Sequence, residues 1–206
     1  MLHLGSRTDP SWGDRALAHL DDVLLDHAHC EKRAASTAIG LVFRYPQHPL
    51  LALPLARLAR EELEHFERVV GHVRRRGRDF GRSTASPYAA ALVGGIATSE
   101  PVRAVETLLA CALIEARSCD RMQSLAHAFD RARRAGAEID EDLRELYHDL
   151  LACEARHHHE YVELARELGV LARADVDSRL ERLAAHEARV IADAPTLARL
   201  HAEMPA

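Results

Sequence analysis

Apolar residues recur every three or four positions along most of the chain, and charged residues fill the positions between them. This spacing is typical of amphipathic helices. Alternating β-branched runs bounded by turn residues, which would indicate strands, are missing. The pattern therefore predicts an all-α protein.

Two helices are predicted in the first third of the chain. The first runs from about residue 12 to 44, because Pro46 and Pro49 cannot continue it. The second runs from about residue 54 to 76, beginning at a first-turn proline and stopping at Gly77. The short connection between them predicts an antiparallel pair.

Two more long helices follow a connection of mixed composition. Gly, Ser, Thr and Pro cluster between residues 78 and 99, where only YAAALVG has the character of a short helix. The third long helix is predicted from about residue 100 to 134, with Ser99 as its N-cap. The fourth is predicted from about residue 140 to 168, with Gly136 between the two.

A charged fifth helix is predicted from about residue 175 to 194, before Pro195, and a short sixth helical segment closes the chain. We expect a single domain over residues 1–206. It would consist of a core bundle of about 12–168 and a helical extension of about 175–204.

Composition supports a packed helical protein, since 48% of the residues are hydrophobic while only 4% are aromatic. A net charge of −5 argues against a general nucleic-acid coating protein. The beginning of the sequence lacks the pattern of a signal peptide, and no apolar run approaches the ~20 residues of a membrane span. We therefore expect a cytoplasmic protein whose cysteines are reduced core residues: Cys30, Cys111, Cys119 and Cys153.

Each predicted helix pair carries one lone glutamate followed by one Glu-x-x-His motif. Residues three apart lie on one face of a helix, so the motif's carboxylate and imidazole can bind one metal ion. In both pairs the lone glutamate and the motif are similarly distant from the shared turn, which brings them level. The pattern predicts a two-metal site built from Glu31, Glu62, His65, Glu115, Glu154 and His157.

One such motif would be weak support, because this chain has 14 histidines and the motif arises by chance on solvated helices. Two copies at matching height are far more specific. Glu115 also lies in the apolar stretch LLACALIEA, where a buried unpaired carboxylate costs several kcal/mol. Mixed glutamate and histidine ligands favour iron or manganese over structural zinc, and favour O₂ activation or iron oxidation.

Neighbouring residues are expected to lie outside this ligand set. His158 and His159 point away from Glu154 and are expected to be exposed. Glu160, one turn beyond His157, is either an extra ligand or an outer partner. The remaining residues expected in solvated or outer positions are Glu61, Glu64, Glu67, His27 and His29.

The fragments EKRAAS, ELEHF, ALIEARSCDR and CEARHH resemble the MiaE-type tRNA hydroxylases, over about residues 21 to 168. That family is similar to the wider ferritin-like superfamily. The resemblance and the ligand pattern together predict a ferritin-like four-helix bundle with one long crossover connection and extra C-terminal helices.

The resemblance implies a non-haem di-iron monooxygenase acting on the isopentenyl group of 2-methylthio-N6-isopentenyladenosine in tRNA. It would use O₂ and two electrons from a ferredoxin- or flavodoxin-type donor. Glu62 and Glu154 would bridge two iron ions, with Glu31 and Glu115 as terminal carboxylates and His65 and His157 as nitrogen ligands. Related oxygenases often place an aspartate before each motif glutamate. Those positions hold Glu61 and Cys153 here, which leaves the outer partner of His157 unassigned.

A tRNA substrate requires contacts with phosphates, which arginine side chains commonly make. The main expected contacts are Arg74, Arg75, Arg76, Arg78 and Arg82; a second run is Arg131, Arg133 and Arg134. The alternative is that both runs are solvated helix ends. Arg117 and Arg121 follow Glu115 closely and are expected to pair with carboxylates near the cluster.

Three other functions compete with tRNA hydroxylation. One is a ferritin- or rubrerythrin-like protein that oxidises iron or reduces peroxide, although no C-x-x-C pair is present. Another is a di-iron oxygenase acting on a small lipid or aldehyde. The last is a helical interaction module with coincidental glutamates.

Overall fold

The computed structural model describes residues 2–205 and contains seven α-helices within them. Between these residues there is no strand beyond an isolated bridge that joins Thr196 and Glu203, so the all-α prediction is confirmed. The helices are α1 (Trp12–Ala18), α2 (Leu20–Arg44), α3 (Ala52–Arg75), α4 (Tyr88–Val93), α5 (Val102–Arg134), α6 (Glu141–Glu167) and α7 (Arg173–Ala192).

Helices α2 and α3 form one antiparallel hairpin, and α5 and α6 form a second. The connection between the hairpins contains the short α4, and α7 packs against α4 and α5. This arrangement is the predicted ferritin-like four-helix bundle with one long crossover and an added C-terminal helix.

The first predicted helix is divided into α1 and α2 at His19, whose φ of −117° and ψ of 29° are not helical. Helix α1 turns out of the line of α2 to pack against α5, where Trp12 and Ala16 are buried. Gly13 permits this close approach, because a Cβ there would lie 2.2 Å from the backbone oxygen of Ser124. Continuous helical periodicity therefore concealed a bend that tertiary packing requires.

Two helix starts differ in how well they were predicted. Ser99 is not the N-cap of α5; the Glu100 carboxylate accepts the Ala104 N–H instead, at 3.1 Å. For α6, the Asp140 carboxylate accepts the Leu143 N–H at 3.0 Å, which confirms a start near residue 140. A carboxylate in either place satisfies a free N–H of the first turn.

The predicted sixth helical segment is wrong, because the chain after Pro195 is irregular. The Leu197 N–H donates to the backbone oxygen of Glu203 within this segment, and other backbone groups bond to α1 and α2. The Leu200 N–H donates to Asp26 of α2, and the Trp12 indole N–H donates to the backbone oxygen of Ala202 at 3.0 Å. This C-terminal segment thus closes over α1 and α2.

The core consists of two apolar clusters, one toward each end of the bundle. On α2, Glu31 lies between Ala28 of one cluster and Ala38 of the other. On α5, Glu115 lies between Leu113 of one cluster and Met122 of the other. The predicted ligands therefore occupy a polar layer enclosed by apolar packing at both ends.

The four cysteines are free thiols on helices, but only Cys111 and Cys119 are buried; Cys30 and Cys153 are half-buried. Among residues 2–205, no helix combines the length and apolar character that crossing a membrane requires.

Candidate metal centre

The six predicted ligands converge from four helices into two overlapping groups. In each group the ligand atoms lie within 4.8 Å of one another, and every member is buried. The first group is Glu31, Glu62, His65 and Glu154; the second is Glu62, Glu115, Glu154 and His157. Glu62 and Glu154 belong to both groups, as expected for carboxylates placed between two ions.

Several buried polar atoms at this centre make no hydrogen bond. They are both carboxylate oxygens of Glu62, Oε1 of Glu154, and the Nδ1 atoms of His65 and His157. Nδ1 of His157 lies 2.7 Å from Glu62 Oε1, yet the geometry is not that of a hydrogen bond. Buried polar atoms are nearly always satisfied, so this concentration fits a metal centre. The oxygen and imidazole donors are those that iron and manganese accept.

The electrostatics show a concentration of negative charge. Burial, Glu62 and Glu154 raise the pKa of Glu115 well above its ordinary value, and burial and Glu31 raise that of Glu62. Burial lowers the pKa of His157, but Cys153 and Glu62 outweigh it and raise that pKa to about 12. The centre thus favours bound cations.

The outer partner of His157 is Glu61, whose Oε2 lies 2.9 Å from Nε2 of the imidazole. Arg156 donates to the same carboxylate at 2.7 Å and holds it in place. The residue before the motif glutamate on α3 therefore serves the histidine on α6. The partner lies on the facing helix and not on the helix that carries the histidine. Comparing the two facing motifs would have revealed it, whereas comparing residues along one helix did not.

His27 supports the centre from outside both groups. Its Nε2 lies 2.5 Å from Glu31 Oε1, and its Nδ1 lies 3.3 Å from the Tyr147 hydroxyl. His29 turns away, with Nε2 at 2.9 Å from the backbone oxygen of Gly81. The i, i+4 spacing of His27 and Glu31 was the available signal for this contact.

The prediction that His158 is exposed is wrong, since it is only 2% exposed. Its Nδ1 donates to the backbone oxygen of Ala112 at 2.7 Å, and its Nε2 meets His3 at 3.0 Å. Helix α5 and the N-terminal segment therefore cover a face of α6 that sequence reasoning assigned to solvent.

The other neighbours are less central. Glu160 belongs to neither group, and its carboxylate lies 3.5 Å from Arg57. The exposed residues are His159, Glu64 and Glu67, as predicted.

Arg117 and Arg121 are buried and pair with carboxylates outside the ligand set. Arg117 donates to both oxygens of Glu187 on α7 at 2.8 Å, and Arg121 donates to Glu203 at 3.2 Å. These pairs attach α7 and the C-terminal segment to α5, and they leave the six ligands unpaired with arginine.

Part of the predicted basic run is neutralised by acidic neighbours. Arg76 pairs with Asp21 at 2.5 Å, and Arg78 lies 3.6 Å from Asp22. In the second run, Arg131 pairs with Asp14. Arg133 of the second run pairs with Glu141. The other arginines of the two runs are also exposed: Arg74, Arg75, Arg82 and Arg134.

A cavity of about 180 Å³ adjoins the second group at Glu115. Ala34, Cys111, Ile114 and Tyr161 contribute apolar or aromatic wall.

The cavity lining also includes polar residues: Asp26, Arg33, Ser86 and His201. Sequence reasoning missed Ser86 and His201, because the crossover and the C-terminal segment that carry them reach the cavity only in the folded chain. It also missed Asp26 and Arg33, which lie on α2.

Comparison with known proteins gives consistent matches. The family model described as "tRNA-(MS[2]IO[6]A)-hydroxylase (MiaE)" matches residues 2–202. A "tRNA 2-(methylsulfanyl)-N(6)-isopentenyladenosine(37) hydroxylase" of Pseudomonas putida is 38% identical over 98% of this chain and 93% of its own length. The protein of the same name from Salmonella typhimurium is 29% identical over 89% of this chain and 81% of its own.

A solved structure described as "Protein 43 with aldehyde deformylating oxygenase activity from Synechococcus" superposes with a TM-score of 0.86. It is 41% identical, and the match covers 97% of this chain and 95% of that one. With the family model matching almost the whole sequence, the chain belongs to the MiaE family of tRNA hydroxylases.

Proposed function

We propose that this protein is a di-iron monooxygenase that hydroxylates the isopentenyl group of 2-methylthio-N6-isopentenyladenosine in tRNA. The observation that carries the proposal is the pair of overlapping buried groups beside a cavity. The names of both curated relatives supply the substrate class. Action on tRNA would place the protein in the cytoplasm.

In this proposal Glu31 and His65 would hold one iron ion, and Glu115 and His157 the other, with Glu62 and Glu154 between them. The four carboxylates balance the charge of two divalent cations, which removes the large cost of burying them unpaired. A glutamate from each of two helices plus two Glu-x-x-His motifs is the ligand set of di-iron and di-manganese bundles.

When bound and reduced by an external ferredoxin- or flavodoxin-type donor, the iron pair would supply the O₂ activation that an unactivated C–H bond requires. The protein's own part is positioning. Glu61 fixes the ring of His157, and His27 fixes the carboxylate of Glu31. Fixed ligand orientation preserves metal affinity and geometry.

The cavity would receive the hydrocarbon part of the substrate beside Glu115. A cavity of ~150 Å³ is large enough to bind benzene. The observed volume of about 180 Å³ therefore suits a five-carbon prenyl group. Its largely apolar wall excludes water from the oxidised carbon.

The tRNA itself would be held by phosphate contacts of exposed arginines. Arg74, Arg75 and Arg82 have no carboxylate partner within the described residues, so their charge is available. Arg76 and Arg78 would exchange their pairs with Asp21 and Asp22 for phosphate.

A second candidate function is oxidation of an aliphatic aldehyde. The 41% identical structure is described as having aldehyde deformylating oxygenase activity, and a short aldehyde would also fit the cavity. The family match favours tRNA hydroxylation over this reaction, and also over a ferritin- or rubrerythrin-like oxidation of iron or reduction of peroxide.

The decisive experiment is nucleoside analysis of tRNA from a strain lacking this gene, complemented with wild type or with Glu115→Ala. We expect the hydroxylated prenyl-adenosine to disappear, to return with wild type, and to stay absent with the variant. An unchanged nucleoside profile would reject the tRNA hydroxylase. Purified iron-loaded protein is then offered an aliphatic aldehyde together with O₂ and a reducing system of the ferredoxin or flavodoxin type, and release of formate would support the second candidate.

A further inference from the structure

Asp26 on α2 places a buried carboxylate in the cavity wall with one oxygen unused. The residue is only 1% exposed, and its Oδ2 accepts the Leu200 N–H at 2.9 Å. Its Oδ1 has no hydrogen-bond partner. Nε of Arg199 lies 3.7 Å from Oδ1, which balances charge but is too long for a hydrogen bond. An acceptor left buried in this way is unfavourable until a donor reaches it.

Arg33 supplies a donor on the same wall. It lies two turns after Asp26 on α2, is half-buried, and has no carboxylate within ion-pair distance among the described residues. Its guanidinium lies 4.0 Å from the Cys30 sulfur, and that thiol lies 3.9 Å from Asp26 Oδ2. The cavity wall therefore carries an acceptor side chain and a donor side chain that both adjoin the Cys30 thiol.

We propose that Asp26 and Arg33 read the amine-bearing edge of an N6-alkylated adenine. Asp26 Oδ1 accepts the N6–H, and Arg33 donates to the adjacent ring nitrogen. This rests on the proposed function and specifies how the same cavity selects its substrate. An adenine edge carries a donor beside an acceptor, which matches this pair of side chains.

The proposed reading site also separates the two candidate substrates. An aliphatic aldehyde has an acceptor oxygen but no N–H, so Asp26 Oδ1 would stay unpaired in its complex. A site built to bond a particular donor discriminates strongly against ligands that lack it, because its own buried group is left unsatisfied. Asp26 would therefore favour the prenylated amine while the apolar wall accepts either hydrocarbon.

The test compares two nucleosides that differ in one atom. One is 2-methylthio-N6-isopentenyladenosine; the other is its O6-linked ether analogue, in which oxygen replaces the N–H. Dissociation constants are measured for iron-loaded wild type, Asp26→Asn and the control Arg44→Ala. Asparagine keeps an oxygen for the Leu200 N–H and places an NH₂ where Oδ1 stands. Arg44 is exposed at the end of the same helix, outside the cavity.

For wild type and Arg44→Ala, we expect the dissociation constant of the amine to be at least about tenfold lower than that of the ether. Asp26→Asn should lose or reverse that preference, because its NH₂ opposes the N6–H and suits the ether oxygen. Arg33→Met should weaken the binding of both nucleosides to a similar extent, since both contain the ring nitrogen to which Arg33 donates. Iron content and circular dichroism confirm that each variant is folded and loaded.

A wild-type preference that persists in Asp26→Asn would overturn the reading site, as would equal wild-type affinities for the two nucleosides. If Asp26→Asn does not fold, Arg33→Met decides, and unchanged affinities there reject the site. Hydroxylation of prenylated tRNA by wild type is measured in parallel. Turnover without the expected change in preference rejects the reading site alone. Turnover without detectable binding of either nucleoside likewise rejects the reading site alone, whereas no turnover rejects the proposed function.

Discussion

Nε2 of His157 on α6 lies 2.9 Å from the carboxylate of Glu61 on α3, so a residue of the first hairpin orients a candidate ligand carried by the second. The hydrogen bond occupies Nε2 and leaves Nδ1 facing the carboxylates of the centre. Outer partners of this kind fix both the tautomer and the orientation of a ligating imidazole.

Glu61→Ala should therefore weaken metal binding although Glu61 belongs to neither four-residue ligand group. We expect about 10- to 100-fold lower affinity, chiefly for the ion held by Glu115 and His157. Titration of the metal-free protein with ferrous iron measures it. Glu64→Ala, an exposed glutamate on the same helix, is the matched control and should bind as wild type does. Identical affinities in both variants would contradict the role of Glu61.

Changing single ligands should alter the number of bound ions according to how the groups overlap. Glu115→Ala should lose at least one iron and all turnover, because Glu115 belongs to one group only. Glu62→Ala should impair both sites, because Glu62 is shared. Elemental analysis gives the iron stoichiometry. Full occupancy and activity in Glu115→Ala would show that the ligand assignment is wrong.

Filling the cavity should separate substrate binding from metal binding. Ala34→Phe adds a ring to the wall, so we expect unchanged iron content and loss of tRNA hydroxylation. Ser36→Phe adds the same ring at an exposed position of α2 and should remain active. Iron content and initial rates are compared for both variants. Normal turnover by Ala34→Phe would exclude this cavity as the route of the prenyl group.

Replacing Arg75 and Arg76 by alanine should weaken tRNA binding without affecting iron. Removing one arginine–phosphate ion pair should reduce the slope of log affinity against log salt by about one. Fluorescence anisotropy with labelled tRNA over a series of salt concentrations measures both the affinity and the slope. Arg68→Ala removes an exposed arginine of α3 that pairs with Asp149, and serves as the control. Unaltered affinity of the double variant would discard the basic run as a tRNA-binding surface.

His201 should make stability depend on pH. Burial, Arg121 and Arg117 lower its folded pKa to about 3 from an ordinary value of 6.5. Between these values the unfolded state binds the proton and the folded state does not. Titration of His201 therefore leaves the free energy of unfolding unchanged above pH 6.5. As the pH falls from 6.5 toward 3, it lowers that free energy by on the order of 1 kcal/mol per pH unit.

Urea unfolding of wild type and His201→Gln, from about pH 5 to about pH 8, measures this contribution. The variant should show the shallower decline on the acidic side. Parallel curves for the two proteins would indicate that His201 titrates normally.

The long helices and the convergence of the six candidate ligands followed from the sequence. Periodicity reports which face of a helix is buried, and the paired motifs on α3 and α6 reported where the helices meet. That information is local to each helix. It was therefore sufficient to predict that Glu62, His65, Glu154 and His157 face the centre of the bundle.

The bend at His19, the burial of His158 and the cavity wall did not follow from the sequence, because each depends on contacts between distant segments. His158 is covered by α5 and by His3, which lies 155 positions earlier. His201 reaches the cavity because the C-terminal segment docks on the bundle, where the Leu200 N–H donates to Asp26 of α2. Helical periodicity carries no signal for such long-range docking.

Trp12 is the only tryptophan of the sequence, and it is fully buried where α1, α5 and the C-terminal segment meet. Arg121 stacks over its ring at 4.7 Å, and its indole N–H donates to Ala202. Its emission maximum is consequently a built-in optical reporter for the docking of residues 195–205. A red shift at a denaturant concentration that leaves the helical ellipticity intact would signal release of this segment before the bundle opens.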